Sequence, residues 1–200
     1  KQAGDLPLLP AAWYAEHDVE THLGVAATGL DLAERFVTLA DGTTLAYDAL
    51  VLATGAEPVR PDLPGLDRAD AYVLRTQEDA DAIVAASAGR RVVVVGSGFI
   101  GLEVAAALRQ RELDVTVVAP GAVPMARQLG EDLGRVLRTM HEEAGTRFVG
   151  GRAAAWDGRA LVLEDGTRVE ADVLVVGLGV EPRTGLAEDQ PLGDAFALQV

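Results

Sequence analysis

The chain has 200 residues, 49% of them hydrophobic, enough to build a core for one large domain or parts of two. A net charge of −14, with no arginine cluster interleaved with aromatics, excludes a nucleic-acid binder. Cysteine is absent and no apolar run reaches membrane-spanning length, which excludes disulfides, thiolate metal sites, a redox dithiol on this chain and a membrane helix.

The first predicted element is a short helix over residues 11–16, followed by a strand over 19–23. No basic-then-apolar leader opens the sequence, so a cytoplasmic protein is expected. His17 and His22 lie close together and His141 falls in a charged helical stretch; none has metal-ligand spacing, and no metal is expected. Residues 35–40 and 43–46 read as paired strands joined by Asp41-Gly42, because Gly accepts positive φ and Asp bonds its own backbone. The apolar run 49–53 reads as a central parallel strand covered on both faces and ending at Gly55.

Pro58, Pro61 and Pro64 make residues 56–65 an ordered, irregular crossing. Thr76 is placed to cap a helix through Asp79, with Ala80, Ile83 and Val84 on its buried side and Gly89 at its end. Residues 91–95 form a strand that runs into Gly96-Ser-Gly-Phe-Ile-Gly101, and a helix over about 100–111 follows. This GxGxxG has the context a dinucleotide needs. Gly96 permits the turn, Gly98 lets the pyrophosphate approach backbone, and Gly101 lets helix and strand pack closely. The diphosphate lies on free amides at the helix N-terminus.

The next strand, 115–118, ends at Ala119, where an NAD site places Asp or Glu on the ribose hydroxyls and an NADP site has an arginine nearby. Arg127 is the nearest arginine downstream, and Arg183 approaches from another loop; the seat selects neither cofactor, with NAD favoured. A helix over about 129–144 with Leu133, Val136, Leu137 and Met140 on one side leads to a strand at Phe148 and Val149. Glu103 is open to two readings: an acid favourable near a helix N-terminus, or a group facing a reactive ring at the sheet edge.

The last elements repeat earlier ones. "DGTTLAYDALVLATGAEP" from Asp41 returns as "DGTRVEADVLVVGLGVEP" from Asp165, 124 positions on and without a gap. Strands are therefore expected over 160–164, 167–170 and 173–176. The fold class is α/β: a Rossmann-like three-layer dinucleotide-binding domain with a β-meander, plus part of a second, homologous domain. No nucleophile–base pair stands out, so chemistry by bound cofactors is favoured over chemistry by side chains.

Four segments, "YDALVLATG", "LRTQEDADAI", "RRVVVVGSGFIGLEVAAALR" and "ADVLVVGLGVEPRTGLAE", resemble the FAD-dependent pyridine-nucleotide reductases. The nearest branch is the ferredoxin, rubredoxin and putidaredoxin reductases, with apoptosis-inducing-factor-like proteins beside it. The resemblance implies residues 1–70 as a partial FAD-binding domain, 71–185 as the NAD(P)-binding domain, and 186–200 as a tail leading back to the first. It implies FAD contacts at Ala27, Thr54, Gly55 and Arg75. It implies a nicotinamide dinucleotide on Gly96, Gly98, Phe99, Ile100, Gly101 and Ala119, with Gly177, Leu178 and Gly179 lining the crevice. Glu103 matches an acid beside the nicotinamide–flavin stack, and Lys1 is its candidate partner.

The implied cofactors are FAD and NAD, with NADP as the alternative. The implied activity is hydride transfer from NAD(P)H to flavin and electron delivery to an iron–sulfur acceptor of ferredoxin or rubredoxin type. The family's first glycine turn and its interface domain are not in the sequence, so flanking domains of the same polypeptide are expected. The competing reading is a non-catalytic, dinucleotide-sensing interaction protein or an isolated NAD(P)-binding domain.

Overall fold

The computed structural model describes residues 9–187. The chain divides into two units: one covers Glu57–Glu181, the other joins residues up to Ala56 with those from Pro182 on. In the latter, helix α1 (Ala11–Glu16) follows Pro10, whose extended backbone suits the position before a helix. His17 stacks on Trp13 with ring centroids 4.0 Å apart and bonds its carbonyl through Nδ1 at 2.8 Å. Strands β1 (Ala27–Asp31), β2 (Phe36–Leu39) and β3 (Thr44–Ala46) then form an antiparallel meander. The Asp31 carboxylate accepts from the amides of Ala33 and Glu34 at 3.0 and 2.8 Å, which closes the first turn.

Two strands expected in this unit do not form. Residues 19–23 are irregular and Leu23 is 86% exposed; residues 50–55 carry no strand and Val51 is 85% exposed. Both runs have strand-like composition, but neither finds a ladder partner among the described residues, and an unpaired strand has nowhere to place its backbone hydrogen bonds.

Strand β4 (Ala56–Pro58) spans the boundary, and β5 (Ala71–Val73) and helix α2 (Gln77–Ser87) follow in the second unit. Thr76 caps α2 as expected: its hydroxyl accepts from the Asp79 amide at 3.2 Å while the Asp79 carboxylate accepts from the Thr76 amide at 2.8 Å. Ile83 is buried, whereas Val84 faces outward. Next come β6 (Arg91–Val95), α3 (Phe99–Arg109) and β7 (Asp114–Ala119). The helix expected over 129–144 is two, α4 (Ala126–Leu129) and α5 (Glu131–Glu143), because Gly130 takes φ +81° between them. Gly134 is the buried residue of α5, and a Cβ there would meet the Pro124 carbonyl; Leu133, Val136 and Met140, read as sharing one side of the helix, are exposed.

Strands β8 (Arg147–Gly150), β9 (Ala153–Trp156), β10 (Ala160–Leu163), β11 (Arg168–Glu170), β12 (Val173–Val176) and β13 (Val180–Pro182) complete the chain order. The central sheet is β5-β12-β6-β7-β8, all pairs parallel. A second sheet, β11-β10-β9, is the antiparallel meander, and β4 pairs with β13.

Strand alternation divides the core. Val92, Val94, Val115, Val117, Val173 and Val175 face Ile83 of α2 and Val104, Ala105 and Leu108 of α3. Val93, Val95, Val118, Leu174 and Val176 face Trp156, Leu161, Leu163 and Val169 of the meander. The sheet is covered on both faces, which explains its unbroken valine runs. The layers are helices, parallel sheet and meander, the architecture of a Rossmann-like dinucleotide-binding domain.

The duplication is carried into three dimensions. The expected hairpin strands are β2 and β3 in one copy and β10 and β11 in the other, at the same 124-residue offset. Asp41 accepts from the Thr43 amide, and Asp165 from the Thr167 amide, both at 2.9 Å. Gly42 and Gly166 take φ +87° and +83°, and Gly55 and Gly179 take +75° and +104°.

Candidate functional site

Every strand of the central sheet runs the same way, so one edge gathers all five carboxyl ends. The chain builds β6, β7 and β8 outward on one side and then places β12 on the other side of β6. The carboxyl ends of β6 and β12 therefore flank the point where strand order reverses, where open α/β sheets bind their ligands. Gly96 ends β6, Gly177 ends β12, Ala119 ends β7, and Arg75 lies two residues beyond β5 at the same edge.

Three glycines meet there for steric reasons. A Cβ on Gly96 would strike the Gly177 carbonyl, and Gly96 also takes φ +110°. A Cβ on Gly101 would strike the Gly96 carbonyl, and one on Gly177 would lie 3.0 Å from the Gly101 Cα. The backbone bonds Gly96 N–H to Val118 O and Gly177 N–H to Val95 O, both 2.8 Å, lock the turn onto the sheet.

Gly98 is different. Its φ of −83° suits any residue, and a Cβ would meet nothing within 4 Å. It is the N-cap of α3 and gives that helix no side-chain cap, so the first amides of an 11-residue helix lack an internal partner. An open space over uncapped amides fits a dinucleotide diphosphate, for which the helix dipole adds attraction.

Phe99 is 58% exposed and Glu103 follows one turn later, also exposed; Leu178 is 42% exposed, with Cδ2 3.4 Å from the Cβ position of Gly96. Ile100 is half-buried against the helix-side core. Gly179 O accepts from the Val59 amide at 3.0 Å. Ala119 is nearly buried, pairs with Gly150 and accepts from the Gly151 amide at 2.9 Å. The Met125 amide bonds Ser97 O at 3.2 Å and ties the loop after β7 to the glycine turn. The Arg75 side chain is exposed while its amide bonds Asp79 at 2.9 Å.

The other unit holds Ala27, the first residue of β1, together with Thr54 and Gly55. The Thr54 hydroxyl donates to Arg183 O at 2.5 Å and Gly55 O accepts from the Arg183 amide at 2.9 Å. Among its described residues this unit has no strand–glycine turn–helix, so the residues present do not make a complete flavin diphosphate site. Lys1 and the tail from residue 188 lie outside the described residues.

A groove of about 430 Å³ opens at the opposite, amino edge, near Arg91, Arg147 and Arg168. Each of these arginines is already neutralised. Arg91 forks onto Asp172 at 3.0 and 3.2 Å and reaches Glu170 at 3.0 Å; Arg147 pairs with Asp114, and Arg168 with Asp157. The Arg168 hydrogen bond, with the Arg159 amide behind it, holds the Asp157 carboxyl down at about 2. Paired charges in an open groove are a solvated brace, and the uncapped helix at the carboxyl edge is the better site.

Sequence reasoning missed β9, which brings Trp156 into the core, and the sheet-edge strand β5. β1, the third strand of the first copy's meander, was missed in the same way, so the duplication gave no sequence signal for β9.

Comparison with known proteins agrees with this geometry. The family model described as pyridine nucleotide-disulphide oxidoreductase matches residues 4–194. The chain is 39% identical over 195 residues to the ferredoxin–NAD(+) reductase component of the biphenyl dioxygenase system of Paraburkholderia xenovorans, covering 92% of this chain and 48% of that protein. It is 38% identical to rhodocoxin reductase of Rhodococcus erythropolis, covering 91% and 44%. Among solved structures, a ferredoxin reductase of Rhodopseudomonas palustris superposes with TM-score 0.85 at 33% identity, over 93% of this chain and 48% of that one. The putidaredoxin reductase in a covalent complex with putidaredoxin gives 0.86 at 31%, over 96% and 49%. The chain thus spans about half the length of these relatives.

Proposed function

The chain belongs to the pyridine nucleotide-disulphide oxidoreductase family, and from that premise we propose that it is the NAD(P)H-binding part of an FAD-dependent reductase serving a ferredoxin- or rubredoxin-type iron–sulfur protein. The bound nicotinamide would supply a hydride, and a flavin would turn it into single electrons. Relatives that are ferredoxin reductases by name support the acceptor class. These 200 residues contain no cysteine, so this chain itself carries no redox dithiol.

The observation that carries the proposal is Gly98: an unstrained glycine with empty space above it, at the head of an uncapped helix on the sheet's carboxyl edge. In this reading the amides at the start of α3 hold the diphosphate, and Gly96, Gly101 and Gly177 keep backbone close enough to make the floor. Phe99 and Leu178 give the nicotinamide crevice apolar walls. Glu103, exposed one turn after Phe99, is assigned to the nicotinamide side as a positioning acid on the family pattern. Arg75, Ala27, Thr54 and Gly55 are assigned to the flavin side on the family pattern alone.

Calorimetry of the chain with NAD+ and NADP+ tests the binding half. Micromolar-range affinity for at least one, on the order of −8 kcal/mol, is expected; no heat with either at millimolar concentration removes the proposal. For the electron-transfer half, the intact gene product with FAD should lose its flavin absorbance on anaerobic addition of NADH or NADPH. Glu103→Gln should slow that bleaching about tenfold or more while leaving dinucleotide affinity within about twofold.

A further inference from the structure

The end of β7 is where this chain departs from an NAD-selective site. Ala119 occupies the seat that needs a carboxylate, and the stretch from Ala119 to Ala126 (Ala-Pro-Gly-Ala-Val-Pro-Met-Ala) has no ionisable side chain. Its first charged residue is Arg127. On the neighbouring strand, Gly150 pairs with Ala119, the Gly151 amide bonds Ala119 O, and the next residue is Arg152. In a chain of net charge −14, both loops beside the seat therefore reach an arginine before any acid.

These two arginines are also spare. Arg127 and Arg152 are exposed and have no ion pair or side-chain hydrogen bond among the described residues. Their neighbours in sequence are engaged: Arg135 with Glu131 and Asp132, Arg138 with Glu142, Arg147 with Asp114. The loop that presents Arg127 is held in place. The Met125 amide bonds Ser97 O, Arg138 donates to Ala122 O, and Pro124 is fully buried against Gly134. The backbone at Arg127 thus lies two residues from the anchor that joins this loop to the glycine turn.

We propose that the adenosine end of this site accepts a 2′-phosphate, so that the chain binds NADP(H) at least as well as NAD(H), with Arg127 as the principal phosphate ligand and Arg152 as the second. The inference rests on the dinucleotide reading above. A carboxylate at the seat would bond the ribose hydroxyl of NAD and repel a 2′-phosphate; Ala119 does neither. The phosphate adds about −1.5 to −2 charge, and guanidinium groups pair with it bidentately. The acidity of the whole chain does not oppose this strongly, because charges more than about 8 Å away are screened at physiological salt.

The test is calorimetry of the 200-residue chain and its variants with NAD+, NADP+ and 2′,5′-ADP, a probe with the phosphate but no nicotinamide. The expected result is NADP+ affinity equal to or tighter than that of NAD+, with measurable binding of 2′,5′-ADP. Arg127→Ala should weaken NADP+ and 2′,5′-ADP about tenfold and NAD+ less than about twofold, with partial recovery in Arg127→Lys. Ala119→Glu should weaken NADP+ about tenfold or more and leave NAD+ unchanged or tighter. Raising salt should cost NADP+ more than NAD+. NAD+ binding with NADP+ more than about tenfold weaker overturns this inference and leaves the dinucleotide site standing. Equal losses for both cofactors in Arg127→Ala and Arg152→Ala likewise overturn it. Failure of all three ligands to bind removes the site itself, and this inference with it. Both arginines are exposed, and an unchanged circular dichroism spectrum and melting temperature would show that the variants fold.

Discussion

The glycines of the turn separate into two kinds, and substitution should distinguish them. Gly98→Val places a side chain in open space on a permissive backbone, so stability should move by less than about 1 kcal/mol. That same side chain stands where the diphosphate is proposed to lie, and NAD+ and NADP+ affinity should fall about tenfold or more. Gly101→Val drives a side chain into the Gly96 carbonyl and should destabilise by about 1–3 kcal/mol or more. Paired thermal melts and titrations check both; a Gly98 variant that loses stability but keeps affinity would make the glycine structural. The GxGxxG pattern announced the turn. It did not show that Gly96 is required by packing, because that depends on Gly177, which approaches from β12, 76 positions after Gly101. Ala119 was likewise legible as a missing acid, but the role proposed for Arg152 needed the pairing of β7 with β8.

At the scale of elements, the parallel strands and their helices were legible because burial on both faces writes itself as unbroken valine runs, and because Thr76 and Asp79 carry a capping signal. The failures share one cause. Residues 49–53 and 19–23 have strand composition, but a strand is made by its neighbours, and local sequence does not reveal whether any exist. The meander is fixed to the sheet by Trp156, fully buried, whose indole N–H donates to Asp70 at 2.8 Å. Trp156→Ala should cost about 3–5 kcal/mol by denaturant unfolding. At the amino edge, Arg91 hydrogen bonds hold Asp172 below the usual carboxylate range, and Asp157 sits at about 2 for the reasons given above. Carboxyls lowered in the folded state contribute stability that is complete above their unfolded values, near 4, and is lost as pH falls through the folded ones. The melting temperature should therefore hold down to about pH 4 and drop towards pH 2. Asp172→Asn should flatten part of that decline; an identical acid slope in the variant would show the brace to be inert.

The phrase that opens at Asp41 and at Asp165 divides the whole molecule into two copies of one unit. Both copies make the same Asp-Gly turn with the same hydrogen bonds at the same offset. One copy sits under a five-stranded parallel sheet with its glycine turn; the other, among the described residues, has the meander and an unpaired apolar run. Dinucleotide binding thus rests on the glycine turn of this chain, while flavin binding and the electron acceptor rest on kinship. The proposed site is the carboxyl edge of the Glu57–Glu181 sheet, with a nicotinamide dinucleotide on the glycine turn. Hydrogen exchange of the chain, with and without saturating NAD+ or NADP+, tests it most directly. Exchange should slow at residues 97–102 and 177–179 and stay unchanged at Arg91, Arg147 and Arg168; protection confined to that amino-edge groove, or no protection anywhere, removes the site.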